Sequence, residues 1–336
     1  MQVPGASDEK YQYSPIDSYK DQIRIIELQP GRPGEEIKIS LTDVSLQYPV
    51  EYEALSYVWG DYYDRMAISV NGKSLSVAHN LFNALHTLRY PDRSRVVWAD
   101  AICINQDDIE EKTQQVSIMD RIYQMAQRVV VYQGEPTTRT EEAMRILGYF
   151  ADTPAHRAEV PPWEVTSIAQ VQDSLKDIID RPWFTRIWTV QEVTLARRTT
   201  MVSGPYQVSW DANVRSLKTI LFRIKSAVIS PEWSTSFNGR YSDFDWSNPL
   251  NILETQLRQA ARREGATLTR TPLDLAFDFR SRKSTDPRDK YFAIFSIVEN
   301  DNLGKRLRLQ PDYRMSLDEL HQRFTDEIKR ISLSLT

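Results

Sequence analysis

Residues 96–132 read VVWADAICINQDDIEEKTQQVSIMDRIYQMAQRVVVY, and their apolar pattern indicates the fold class. Residues 96–104 are apolar except for Asp100, which predicts a buried central strand ending in the turn-forming residues 105–108. Apolar side chains then recur at helical spacing over 109–127, and residues 128–132 predict another buried strand. Strand, helix and strand in succession predict parallel strands joined by a right-handed crossover.

The flanking sequence extends this α/β pattern. A hairpin is predicted at 22–28 and 37–41, a buried strand at 53–59, a second hairpin around Asn71-Gly72, and a helix at 79–89. Beyond 132 we predict helices near 140–151, 167–180 and from 181, a short strand at 199–203, and then helices at 211–228, 249–264, 271–281, 287–299 and 316–331. The predicted segments are a mobile N-terminus (1–20), an α/β domain (21–210) and a helical C-terminal region (211–336).

Charge and cysteine content limit the partners and the compartment. The 42 Lys and Arg residues against 46 Asp and Glu residues give a formal net charge of -4, so we predict neither a nucleic-acid nor a membrane partner. The sequence has neither a signal-like N-terminus nor an apolar run long enough to span a bilayer. A lone cysteine, Cys103, fits a reducing compartment, and we predict a cytoplasmic protein.

The sequence lacks the residue patterns of several common metal and phosphate sites. The four histidines are far apart, and none has metal-ligand spacing with another histidine or with Cys103. The sequence contains neither GxxxxGK[ST] nor GxGxxG, the usual phosphate-binding loops. We therefore predict no metal and no resident cofactor.

Four stretches in family order resemble the heterokaryon incompatibility (HET) family of fungal proteins. They are Tyr52-Glu-Ala-Leu-Ser-Tyr-Val-Trp-Gly60, Trp98-Ala-Asp-Ala-Ile-Cys-Ile-Asn-Gln106, the segment EKTQQVSIMDRIYQMA from Glu111 to Ala126, and Arg181-Pro-Trp-Phe-Thr-Arg-Ile-Trp-Thr-Val-Gln-Glu-Val193. Thr285-Asp-Pro-Arg-Asp-Lys-Tyr291 and Pro311-Asp-Tyr313 are similar to a segment common downstream in such proteins. Lys112 departs from the arginine that is usual in the family. The resemblance implies a cell-death effector in allorecognition.

A remoter similarity connects the chain to Toll/interleukin-receptor (TIR) domains. Trp188-Thr-Val-Gln-Glu-Val193 resembles the Trp-Cys-x-x-Glu-Leu motif of TIR enzymes, with Thr189 in place of the cysteine and a longer segment before the motif. This similarity implies a TIR-like (flavodoxin-like) parallel sheet flanked by helices, with added β-hairpins and the C-terminal helical region. It also implies that NAD+ is the substrate and that Glu192, at the matching position, is the catalytic residue.

The chemistry of NAD+ hydrolysis suits a single carboxylate. The pyridinium becomes neutral as the glycosidic bond breaks, so the main requirement is negative charge beside the developing oxocarbenium ion. Glu192 could supply this charge without a metal or a histidine. The alternative is a structural ion pair between Glu192 and Arg186 or Arg197 at a helix end.

Other candidate ligand residues follow predicted strands. Tyr57, Trp59 and Asp61 come at the carboxyl end of a strand, where open α/β sheets bind ligands. Trp59 could stack on adenine or nicotinamide, or belong to the core. Trp188 belongs to the same motif as Glu192, and the resemblance places it at the ligand.

Two polar residues of the second motif complete the predicted site. Asp100 interrupts an apolar segment, so its charge must be paired or used: either in an ion pair or loop-anchoring hydrogen bond, or in the site. Asn105 is a natural polar ligand residue, and turn chemistry explains it equally well.

Two functions remain open from the sequence. The first is an NAD+ glycohydrolase that self-associates, because many TIR enzymes build their site across a subunit contact, and that responds to an upstream activator protein. The second is a non-catalytic interaction module that recruits a partner to trigger cell death. The substitution Glu192→Gln separates them.

Overall fold

The computed structural model describes residues 7–17, 20–153, 160–230, 233, 245–266, 271–295, 297–298 and 309–332. Ten strands lie in these ranges: β1 (Ser7–Lys10), β2 (Gln22–Leu28), β3 (Lys38–Ser45), β4 (Glu53–Ser56), β5 (Arg65–Val70), β6 (Lys73–Ala78), β7 (Arg95–Trp98), β8 (Arg128–Tyr132), β9 (Arg198–Ser203) and β10 (Tyr206–Asp211). They form one mixed sheet in the order β1-β6-β5-β3-β2-β7-β4-β8-β9-β10.

Thirteen α-helices lie in the same ranges. They are α1 (His79–Leu88), α2 (Asp100–Cys103), α3 (Ile109–Ser117), α4 (Met119–Met125), α5 (Thr140–Phe150), α6 (Pro162–Val165), α7 (Ile168–Ile179), α8 (Trp188–Thr194), α9 (Val214–Val228), α10 (Ser247–Arg263), α11 (Pro272–Asp278), α12 (Asp289–Phe295) and α13 (Leu317–Ser332). A 3-10 turn, Pro182–Thr185, precedes α8. None of these helices combines the length and the apolar character needed to cross a bilayer.

Four neighbouring strands form the parallel centre of the sheet. Strand β4 pairs in parallel with β7 on one side and with β8 on the other, and β8 pairs in parallel with β9. Strands β7 and β8 are therefore both parallel to β4, which lies between them. Antiparallel hairpins extend the sheet on both sides. The α/β prediction is confirmed, and the ten strands form one mixed sheet.

The hairpins follow the local turn chemistry. The second predicted hairpin is β5 and β6, joined at Asn71-Gly72, where both residues have positive φ, as a tight two-residue turn requires. The first predicted hairpin is β2 and β3. Two strands lie where the sequence pattern predicted none: β10 pairs with β9, and β1, in the segment expected to be mobile, pairs with β6.

The predicted strand at 96–104 is wrong over its second half. Strand β7 ends at Trp98, and the chain turns into the short helix α2. The Ala99 carbonyl accepts the N–H groups of Ile102 and Cys103 at 3.1 and 2.8 Å, and the Asp100 carboxylate accepts the Ala101 N–H at 2.8 Å. These bonds satisfy the backbone locally, so the segment needs no sheet partner. Cys103 is fully buried, as predicted, but in a helix.

The C-terminal helices share the core of the sheet. Ile252, Leu275, Phe292 and Leu320 belong to the same buried apolar cluster as the strands. A second buried cluster joins α5, α7, α9 and α10. The helical region beyond residue 210 therefore packs directly against the α/β region.

Candidate functional site

A polar cavity lies at the carboxyl ends of β4 and β7. It has a volume of about 570 Å³ and receives Val58–Asp61 from the loop after β4, and Asp100 and Gln106 from the segment after β7. Cavities of this size are typical of small-molecule sites. We call it the main cleft. Its other walls come from α3, from residues 182–188 and from the C-terminal segments 283–289 and 313.

Glu192 is buried and is not among the residues that line this cleft. It lies on α8, whose seven residues are all buried, and it is 2% exposed. The Ser56 hydroxyl, at the end of β4, donates a hydrogen bond to the Glu192 carboxylate. The Trp183 indole N–H donates to the same Ser56 oxygen at 2.8 Å. Trp183, Ser56 and Glu192 therefore form a buried hydrogen-bonded chain.

The surroundings of Glu192 disfavour its charge. Burial raises the pKa of Glu192 to about 8; the positive charge of Arg186 opposes this rise, and the negative charge of Asp100 adds to it. Neither Arg186 nor Arg197 forms an ion pair with it within the described part of the chain. The predicted alternative of a helix-end ion pair is therefore replaced by the bond from Ser56.

Arg186 lines the main cleft. Its guanidinium donates to the Tyr57 carbonyl at 3.1 Å and lies 5.5 Å from the centre of the Trp59 ring. The Trp59 indole N–H donates to the Asp100 carboxylate at 2.8 Å. Asp100 thus anchors Trp59, and the bond between them links the loop after β4 to α2. This contact is the loop-anchoring hydrogen bond considered for Asp100, and Asp100 also lines the main cleft.

The structure brings together most of the predicted ligand residues. Trp59, Asp61, Asp100 and Trp188 all line the main cleft. Tyr57 is buried behind it, where burial and the nearby Asp100 charge raise its pKa. Asn105 lies outside the lining: its side chain accepts the Asp107 N–H at 3.3 Å, which is turn chemistry.

A buried ion pair holds the loop that carries Asp100. Arg24 on β2 donates to both Glu111 oxygens, at 2.5 and 2.9 Å, and to the Cys103 carbonyl at 3.0 Å. Glu111 also accepts the Asn105 N–H at 2.7 Å. Asp108 caps α3, and the Glu111 side chain, three residues further on, pairs with Arg24 in place of completing a capping box. The segment between β7 and α3 is thereby fixed to the sheet.

Four cations of the main cleft were not among the residues predicted for the site. Among the described residues none of them forms an ion pair with a carboxylate: Arg65, Lys112, Arg186 and Lys283. Lys112 lies 4.7 Å from the Tyr313 ring centre, and Arg65 donates to Ser76. Cations without a carboxylate partner, beside an aromatic ring, form a suitable environment for a phosphate-bearing ligand.

Three of the missed wall residues come from the two downstream motifs. Asp286, Asp289 and Tyr313 all line the main cleft, and the Tyr313 hydroxyl donates to Asp289 at 2.8 Å. Backbone bonds between Lys283 and residues 185 and 187 attach this segment to the turn before α8. The sequence signal was present in TDPRDKY and PDY, but only the fold shows that these motifs complete the cleft.

A second cavity of about 360 Å³ lies on the other side of the loop after β4. Its walls include Val58, Gly60, Asp61, Asp64, His79, Asn80 and Asn83, and Tyr132–Gly134 at the end of β8, with Arg181, Pro182 and Trp183. Gly60 lines both cavities. Its φ is +82°, and a Cβ there would lie 3.2 Å from Asn80 Cβ, so the loop needs glycine at this position.

Comparisons with known proteins point to one family. The family described as Heterokaryon incompatibility protein (HET) matches residues 52–192, from the start of the β4 segment to Glu192. The chain is 28% identical over 361 residues to Heterokaryon incompatibility protein 6, OR allele, of Neurospora crassa. That match covers 92% of this chain and 51% of the relative, so the chain spans about half the length of this curated relative. No solved structure matches.

Proposed function

Because this chain is a heterokaryon incompatibility (HET) domain protein, with the domain in residues 52–192, we propose that it is an effector of fungal incompatibility and cell death that hydrolyses NAD+. The observation that carries the proposal is the main cleft, whose walls hold Trp59 and four cations without a carboxylate partner in the described residues. These groups suit a pyrophosphate and a stacked ring.

The sheet order supports the TIR-like part of the proposal. In chain order the parallel strands β4, β7, β8 and β9 lie in space as 2-1-3-4, which is the order of flavodoxin-like sheets. Such sheets bind ligands beyond the carboxyl ends of their strands. The helix that carries Glu192 precedes β9, and the main cleft lies at this edge.

The proposed reaction needs one carboxylate. Water adds to C1′ of the nicotinamide ribose, the C–N glycosidic bond breaks, nicotinamide leaves with the bonding electrons, and the water loses a proton to solvent. In this step Glu192 stabilises the positive charge that develops on the ribose. The carboxylate reaches the ribose when Arg186 and Trp59 move apart, and the active form is the ionised one.

Self-association is part of the proposal. Tyr62, which lines the main cleft, and its neighbour Tyr63 are 75% and 90% exposed. Exposed tyrosines are typical of contact surfaces. We propose that the subunits contact each other at these tyrosines. An activator protein acts before this contact forms.

The test measures NAD+ consumption and nicotinamide release by purified protein over a range of concentrations that includes assembled protein. Glu192→Gln should abolish turnover while leaving folding intact, and the exposed control Glu51→Gln should retain it. Equal turnover in the wild type and Glu192→Gln contradicts the assignment of the carboxylate.

A second candidate is a non-catalytic interaction module, favoured by the burial of Glu192 and its bond from Ser56. In that case Glu192 is a structural core residue. Expression in fungal cells distinguishes the two functions: a module keeps its toxicity in a folded Glu192→Gln variant and loses it in Tyr63→Ser, whereas the enzyme loses toxicity in Glu192→Gln.

A further inference from the structure

We propose that the second cavity binds the nicotinamide end of the dinucleotide, with the Gln133 side-chain amide pairing with the nicotinamide carboxamide. The choice of ligand rests on the proposed function, whereas the ligand site itself is inferred from the cavity. Residues at the ends of β4 and β8 form the walls that matter most.

The topology places this cavity where an α/β sheet opens. From β4 the chain crosses to β7 on one side, and it then returns past β4 to β8 on the other side. The carboxyl ends of β4 and β8 therefore diverge into loops that run in opposite directions, and ligands bind in the crevice between such strands. Val58 follows β4 and Gln133 follows β8, and both line the cavity.

Gln133 is a buried amide without a partner. It is 5% exposed, and neither its amide oxygen nor its amide nitrogen has a hydrogen bond among the described residues. Its backbone is fixed, since its N–H donates to the Val202 carbonyl at 2.9 Å and its carbonyl accepts from Arg181 at 2.7 Å. Buried polar groups are nearly always paired, so an unpaired donor and acceptor beside a cavity call for a ligand. A primary carboxamide offers the matching acceptor and donor on one planar edge.

The charges of the second cavity differ from those of the main cleft. Asp61 and Asp64 line it, and the Asp64 carboxylate contacts His79 at 2.9 Å. Its one arginine, Arg181, is already bound to Asp177, Ser203 and the Gln133 carbonyl. A phosphate would meet the negative charges of Asp61 and Asp64 here, with Arg181 already engaged, whereas the cationic pyridinium of NAD+ would be attracted.

The second cavity is also connected to Glu192. Trp183 lines it and begins the hydrogen-bonded chain through Ser56 to the Glu192 carboxylate. The main cleft, with its free cations, lies across Gly60. A dinucleotide across this glycine would place its pyrophosphate among the cations and its pyridinium ring in the second cavity.

Ligand-observed NMR titration of the purified full chain with free nicotinamide, nicotinic acid and adenosine tests the assignment. Nicotinamide should bind, and nicotinic acid should bind at least about tenfold more weakly because its carboxylate faces Asp61 and cannot donate to Gln133. Gln133→Leu and the similarly sized Gln133→Met should each weaken nicotinamide binding by about tenfold or more. Gln172→Leu is the matched control: Gln172 is fully buried with both amide atoms unpaired, but it does not line this cavity.

The outcomes separate this inference from the proposed enzyme. Nicotinamide binding that is unchanged in a folded Gln133→Leu or Gln133→Met overturns the inference, even if Glu192-dependent turnover is observed. A Gln133 variant that loses adenosine binding while its nicotinamide binding is unchanged also overturns the inference. Gln133-dependent nicotinamide binding in a protein without turnover supports the assignment of the cavity and leaves only the catalytic proposal refuted.

Discussion

The Ser56 hydroxyl donates its hydrogen to the Glu192 carboxylate, across 136 positions of sequence. This bond joins the end of β4 to α8 and keeps the carboxylate inside the protein. The same hydroxyl oxygen accepts the Trp183 indole N–H, and Trp183 lines the second cavity. Ser56 therefore connects Glu192 to one wall of that cavity.

Glu192 should make the stability of the protein depend on pH. Its pKa is raised from the ordinary 4.5 to about 8 in the folded state, chiefly by burial, so the folded protein binds this proton more tightly than the unfolded chain. The Glu192 contribution is therefore fully present below about pH 4.5 and is lost as the pH rises towards 8. Relative to Glu192→Gln, the wild type should lose at least about 1 kcal/mol over this window, as measured by urea unfolding at several pH values.

If the free energy of unfolding varies with pH in the same way in the wild type and in Glu192→Gln, the pKa of Glu192 is not raised. For the proposed enzyme the same ionisation has the opposite effect on rate: the NAD+ turnover of a protein that remains folded should rise with pH towards about 8, because only the ionised carboxylate stabilises the developing charge.

Removing one partner of the buried Arg24–Glu111 pair should strongly destabilise the protein. Both side chains are almost fully buried, so Glu111→Gln leaves the buried guanidinium with only the half-exposed Asp43 carboxylate, at 3.8 Å. We expect a loss of about 3–5 kcal/mol in the free energy of unfolding. The exposed pair Arg198–Asp211 is the control, and Asp211→Asn should cost less than about 1 kcal/mol. Similar losses in the two variants would mean that Arg24 is compensated by other groups.

Local sequence patterns predicted the elements that depend on neighbouring residues. The Asn71-Gly72 turn, the strand at Arg128–Tyr132 and the helix at His79–Leu88 all follow from spacing of a few residues. The segment 99–104 failed because a short apolar run is compatible with a buried strand and with a buried helical turn. Hydrogen bonds to the Ala99 carbonyl decide in favour of the turn.

The site was predictable only in part, because some of its contacts join segments that are far apart in the sequence. Trp59, Asp61 and Asp100 could be identified because they follow strand segments, and such ends meet at one edge of a parallel sheet. The bond from Ser56 to Glu192 and the position of Lys283 in the cleft wall depend on how distant segments pack. No periodicity within either segment encodes that packing.

Lys283 should contribute to phosphate binding in the main cleft. It is exposed, lines the cleft and has no ion-pair partner in the described structure. Lys283→Ala should weaken ADP-ribose binding by about three- to tenfold, and it should reduce the salt dependence of the affinity, because one screened charge is removed. Calorimetric titration at two salt concentrations measures both effects. Lys290→Ala, an exposed lysine outside the cleft, should leave both unchanged; an equal effect of the two variants would point to net charge alone.

Gly60 should be the least replaceable residue of the loop between the two cavities. At φ +82° any Cβ is strained, and here it would also approach Asn80 Cβ to 3.2 Å. Gly72 has nearly the same φ, +81°, with nothing within 4 Å of an added Cβ. Gly72→Ala should therefore show the backbone penalty alone, about 1–2 kcal/mol, and Gly60→Ala should exceed it by the cost of moving Asn80. Because Asn80 donates to the Val58 carbonyl, that movement should also weaken ADP-ribose and nicotinamide binding, whereas Gly72→Ala should not. Urea unfolding and the two titrations on both variants measure these differences, and equal destabilisation with unchanged binding would show that the loop tolerates a side chain between the cavities.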